Sequence, residues 1–105
     1  MMPDAEVIER LLQEIVRIAK PLKVILFGSA ARGEMTEDSD IDVLVVIPEG
    51  VHRRRTAQKL YREIVGLGVP FEVVVATTKD LEEHGKNPGL IYKSVLQEGK
   101  EIYAI

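Results

Sequence analysis

Residues 24–47 read VILFGSAARGEMTEDSDIDVLVVI, two apolar runs separated by a polar turn. Val24-Ile25-Leu26-Phe27 is short, unbroken and stops at Gly28, the pattern of a strand buried on both faces. Ile41 to Ile47 is apolar except for Asp42 and is closed by Pro48-Glu49-Gly50, so it is a second such strand. Between them Gly28, Ser29, Arg32, Gly33, Thr36 and Ser39 have the composition of a turn region.

Working outward, residues 4–19 repeat Ile8, Leu11, Leu12, Ile15, Ile18 and Ala19 at helical spacing, with Asp4 as N-cap and Pro21 as the stop. After the second strand, residues 52–66 predict a basic helix whose buried stripe is Ala57, Leu60, Tyr61, Ile64 and Val65, ended by Gly66 and Gly68. Phe71-Glu72-Val73-Val74-Val75-Ala76 is a third strand. Thr77 or Thr78 caps a helical turn around Asp80, Asn87-Pro88-Gly89 marks a break, and a last helix runs from Leu90 to Glu98. Ile102-Tyr103 packs back as a short tail. The expected architecture is α/β (α+β): a small mixed sheet of about three strands with helices packed on it, in one domain, 1–105.

The composition sets limits on function. The chain has 105 residues, 46% of them hydrophobic and 30% charged, enough for one core and a polar surface. A formal net charge of −3 supplies no global basic field, which argues against direct nucleic-acid binding. There are no cysteines, so disulfides, thiol catalysis and Cys-based zinc sites are excluded. No apolar run approaches the roughly 20 residues of a membrane helix. The acidic N-terminus lacks the order of a secretory signal, and a cytoplasmic location is expected.

Asp40-Ile41-Asp42 opens a strand that is otherwise apolar. Positions i and i+2 of a strand share a face, which aims both carboxylates one way about 7 Å apart. At an effective dielectric near 20 they repel by roughly 2–3 kcal/mol, and oxygen-seeking Mg²⁺ is the natural compensating charge. Alone, such a pair more often marks a solvated strand start. Gly28 lets the backbone turn sharply, and a helical turn beginning at Ser29 would offer amides and a hydroxyl to phosphate. An ordinary strand-to-helix turn has the same composition. Glu72 sits in the third strand, either facing solvent on an edge or bringing a third carboxylate to the pair.

Together, Phe27-Gly28-Ser29, ten intervening residues and Asp40-Ile41-Asp42, with the later carboxylate Glu72, resemble the polymerase-beta-like nucleotidyltransferase superfamily. The string from Gly28-Ser29-Ala30-Ala31-Arg32-Gly33 to Val45 looks like its minimal, single-domain prokaryotic branch. The resemblance implies a nucleotidyltransferase fold that moves a nucleoside monophosphate, AMP above all, from NTP (ATP favoured) to an acceptor. It implies nucleotide binding by Gly28 and Ser29, and a catalytic role as ligands of two Mg²⁺ ions for Asp40 and Asp42. Glu72 would be the third catalytic carboxylate, as metal ligand or as general base; that position is often aspartate. Arg32 would neutralise phosphate or pair with a nearby carboxylate, and Ser39 would cap the turn beside the nucleotide.

The same resemblance implies a separately encoded, all-helical HEPN-type partner, with the nucleotidyltransferase acting as antitoxin in a toxin–antitoxin pair. The alternative is a non-catalytic module that neutralises the partner by complex formation. An Asp-x-Asp phosphohydrolase of the haloacid-dehalogenase type fits poorly, because Leu44 stands where that family carries threonine. The Arg53-Arg54-Arg55 run, with Lys59 and Arg62, reads first as a solvated face and second as a docking surface. His52 and His84 lack metal-ligand spacing and read as surface residues.

Overall fold

Both apolar runs are strands, β1 (Lys23–Phe27) and β2 (Ile41–Ile47), in a computed structural model that describes residues 5–34, 39–84 and 91–105. They pair antiparallel with Phe27 opposite Asp42. After α1 (Ala5–Ala19), the short α2 (Gly28–Arg32) leaves β1 directly, and α3 (Arg53–Glu63) carries the chain back to β3 (Phe71–Thr77). A parallel neighbour requires such a crossover, and β3 does lie parallel to β2, Asp42 beside Glu72. Then follow α4 (Thr78–His84), α5 (Ile91–Glu98) and β4 (Lys100–Ala104), which pairs antiparallel with β1. The strand order is β3-β2-β1-β4.

Alternation along the strands divides the core in two. Val24, Leu26, Ile41, Val43, Val45, Ile47 and Val73 face α1 and α3, where Leu11, Ile15, Leu60 and Ile64 close over them. Ile25, Leu44, Val46 and Ala76 face the opposite way, against Val95 with Leu81 and Tyr92. Because side chains alternate with period 2, Asp42 shares the second face with Leu44 and Val46, and Glu72 shares it with Val74 and Ala76. The carboxylates thus continue an apolar face past the end of its helical cover. Among the described residues no helix is long and apolar enough to cross a membrane.

The mixed sheet with packed helices is as expected, with one strand more. The tail 100–104 is an edge strand: Lys100 and Glu101 are exposed, and the ladder is irregular between Val24 and Ile25, so its sequence carries no clean alternation. Helix α3 ends at Glu63, earlier than its glycines imply, with Ile64 already extended (φ −84, ψ 104). Val65 is therefore not part of a buried stripe but 72% exposed, whereas Leu60 and Ile64 are buried. Tyr61 is half-exposed because its hydroxyl reaches the open edge of β3. It accepts from the Val73 amide at 2.7 Å while its ring stacks on Phe71. Lys20 (φ 47) leaves the right-handed helical region before Pro21, as expected. The Asp4 cap, Thr36 and the Asn87-Pro88-Gly89 break lie outside the described residues.

Candidate functional site

Asp42 sits between Phe27 at the end of β1 and Glu72 near the start of β3. Neighbouring strands lie about 4.8 Å apart, so the pairing register brings the Asp42 and Glu72 carboxylates side by side on one face. Asp40 lies two residues earlier, just before β2 begins, and is exposed, as is Glu72; Asp42 is half-buried. Three sequence-predicted carboxylates therefore share one end of the sheet. The reason is topological: β1 ends where β2 and β3 begin.

Gly28 completes the arrangement. Its φ of +67° is left-handed, and a Cβ there would overlap Oδ2 of Asp42. Only glycine satisfies both the turn and the close approach. Helix α2 begins at once, with Phe27 as an extended N-cap (φ −139, ψ −176) that makes no side-chain cap. Ser29 thus lies in the first turn, where amides have no partner inside a helix. The helix stops at Gly33 (φ 70), and the Glu34 amide donates back to the Ser29 carbonyl at 2.9 Å.

Burial pushes the Asp42 carboxyl above its ordinary value, and the Glu72 and Asp40 charges push it further. Arg32 pulls in the other direction from across the turn. That guanidinium also pairs with Glu34 (Nε to Oε2, 3.0 Å), an exposed contact that holds it only loosely. Arg32 is thus structurally paired while its charge still reaches Asp42. Ser39 is half-buried beside Asp40.

No three histidine or carboxylate side chains among the described residues converge into a ready-made metal cage. Mg²⁺ is commonly held by one or two carboxylates, with water and substrate phosphates completing the shell. The donor set fits that pattern. Asp42 carries like-charge repulsion that Arg32 only partly offsets, and the missing Cβ of Gly28 leaves room for the close approach of its Oδ2.

Other polar groups have structural work away from this end. Nδ1 of His52 accepts from the Arg55 amide (3.2 Å) and N-caps α3. Asp80 accepts from the Thr77 amide (2.9 Å) and donates its own amide to the Thr77 hydroxyl (3.1 Å), a reciprocal cap on α4. The backbone bond from Thr77 above all holds Asp80 below the usual carboxylate range, and Arg53, paired with it at 3.0 Å, adds to this. A wide open groove along α3, lined by His52, Arg53, Arg54 and Val75, lies at the opposite end of the sheet from Asp42. A smaller cavity of about 120 Å³ adjoins Gly28, where α5 brings up Ser94, Val95 and Glu98. Sequence reading passed over Ser94 and Glu98, although their spacing of four residues on the last helix places them on one face.

Comparison with known proteins bears on the family and the fold. Residues 8–102 match the family model of the nucleotidyltransferase domain. A protein of Methanocaldococcus jannaschii, named as a "putative protein adenylyltransferase", is 30% identical over 96 residues, 81% of this chain. The chain spans 65% of that relative's length. Among solved structures, one described as a "putative nucleotidyltransferase" from Sulfolobus solfataricus superposes with a TM-score of 0.63 at 20% identity, over 94% of this chain and 78% of that one. A toxin–antitoxin structure with AMP-PNP gives 0.61 at 24% identity, over 92% and 73%. At these identities the structural matches speak for the fold, a nucleotidyltransferase-like one.

Proposed function

The chain belongs to the nucleotidyltransferase domain family, and from that premise we propose that it transfers AMP from ATP to a hydroxyl on a protein partner. The observation that carries this reading is the contact geometry at Asp42: a glycine turn against one side, Glu72 beside it, Asp40 two residues away. A left-handed glycine and a half-buried carboxylate destabilised by its neighbours are poor choices for stability alone. They suit a site that receives phosphate and a cation together.

Residues 1–105 act as one transferase domain in the cytoplasm. Asp40 and Asp42 would hold Mg²⁺, and Glu72 would complete a place for a second ion or take the proton. The ion would supply positive charge to the phosphates and to the departing pyrophosphate. Gly28 and the Ser29 amide and hydroxyl donate to or make room for the triphosphate oxygens. Arg32 offsets residual negative charge, and Ser39 supports the turn beside the nucleotide. The acceptor hydroxyl loses its proton to a site carboxylate, Glu72 being the exposed one left over from the Asp40-Asp42 pair. Its oxygen bonds to the α-phosphorus, the α–β bridging P–O bond breaks, and pyrophosphate departs. The chain's part is to position and to neutralise.

The acceptor we infer is a side chain of a separately encoded, all-helical HEPN-type toxin, for which this chain serves as antitoxin. The M. jannaschii relative's name and the toxin–antitoxin fold match support the partner class. The exposure of Asp40 and Glu72 supports a second reading, neutralisation by complex formation without transfer. Calorimetric titration with ATP in Mg²⁺ and in EDTA tests the metal-dependent site. Binding in Mg²⁺ only is expected, and equal affinity in both buffers overturns it.

A further inference from the structure

The cavity of about 120 Å³ beside Gly28 has an apolar floor, Phe27 and Val95, and a polar rim of Arg32, Ser94 and Glu98. Its position is fixed by the end of α5. A Cβ on Gly99 would overlap the Val95 carbonyl and the Ile25 side chain, so the turn after α5 lies directly on β1. The Gly99 amide donates to the Val95 carbonyl at 2.7 Å, which locks that turn. Glu98 is thereby held over the end of β1, next to the glycine that adjoins Asp42.

Neither Ser94 nor Glu98 has a side-chain hydrogen bond or ion pair among the described residues. Two uncommitted groups at i and i+4 of one helix thus converge on a cavity at the edge of the site. The volume corresponds to roughly four waters, about the size of a sugar ring. On this rim Glu98 offsets the charge of Arg32, so the cavity offers no net positive charge to a phosphoryl group. Carboxylates are well suited to accept from vicinal hydroxyls, and a serine hydroxyl adds a donor and an acceptor.

Resting on the nucleotidyltransferase reading above, we propose that Glu98 and Ser94 bind the ribose hydroxyls of the nucleotide and select ribonucleotides over deoxyribonucleotides. The triphosphate on the Gly28 turn and the sugar in the α2–α5 cavity are then adjacent, as one molecule requires.

The test is the affinity of the full chain for ATP, 2′-deoxy-ATP and 3′-deoxy-ATP in Mg²⁺, for wild type, Glu98→Ala, Glu98→Gln and Ser94→Ala. Wild type is expected to prefer ATP over at least one deoxy analogue by about tenfold or more, the usual scale for a hydrogen bond to a charged group. Glu98→Ala should erase the preference, with affinity for ATP falling more than affinity for that deoxy analogue. Glu98→Gln and Ser94→Ala should reduce it in part. A wild type that does not discriminate, or a Glu98→Ala protein that still does, overturns this inference and leaves the transferase reading standing. Absence of binding by all three nucleotides overturns both.

Discussion

Replacing Asp42 by asparagine in metal-free buffer should stabilise the domain. Asp42 loses solvation through burial and faces Glu72 across one strand spacing and Asp40 two residues away. At about 5 Å and an effective dielectric near 20, the Glu72 repulsion alone is roughly 3 kcal/mol before solvent screening. Both neighbouring carboxylates are exposed, which reduces the realised repulsion to about 1 kcal/mol. Loss of attraction to Arg32 subtracts a few tenths. For a domain of this size about 1 kcal/mol raises Tm by roughly 4–8 °C. The sign of the pH dependence follows from the raised Asp42 carboxyl. The folded state keeps that proton more tightly than the unfolded chain, so the wild-type penalty is absent below the ordinary value of 3.8. It sets in as pH rises above that value and is complete above the raised one. Thermal melts of both proteins in EDTA, from about pH 3 to pH 7, should therefore show a gain at neutral pH that vanishes in acid. A lower Tm for Asp42→Asn at neutral pH would refute the reasoning and make Asp42 a structural hydrogen-bonding residue.

Other sites give sharper losses. Gly28→Ala should cost about 1–2 kcal/mol for the left-handed φ alone, and more from the overlap with Asp42, seen in chemical denaturation together with loss of ATP binding. Asp80→Ala removes the reciprocal cap with Thr77 and the Arg53 pair, for a loss of about 1–2 kcal/mol at pH 7. Because the Asp80 carboxyl is lowered, its contribution is present above the ordinary value and lost as pH falls through the folded one, so the deficit should shrink in acid. Tyr61→Phe should cost about 1 kcal/mol and increase concentration-dependent self-association by sedimentation, since the hydroxyl covers the Val73 edge of β3.

The grouping of these residues was legible in sequence because its signals are local: a glycine ending an apolar run, and two aspartates on one face of the next. Glu72 was ambiguous, since strand neighbours are not written in sequence. Register sets it beside Asp42 while it stays exposed on the edge strand β3. What stayed illegible depended on contacts from distant segments. The fourth strand exists because β1 has an open edge for Lys100–Ala104 to join, although that tail has little alternation of its own. His52 as a cap and Tyr61 as an edge cover are polar roles that hydrophobic periodicity does not encode. The α5 cavity needed Gly99 on Ile25, a contact between residues far apart in the chain.

Nucleotidyl transfer itself is tested most directly by intact-mass analysis of the proposed helical partner after incubation with this chain, ATP and Mg²⁺. An increment of one or more AMP units on the partner is expected, absent in EDTA and absent with Asp40→Asn or Asp42→Asn. A partner that stays unmodified while wild type still binds and silences it would contradict transfer and leave complex formation as the function.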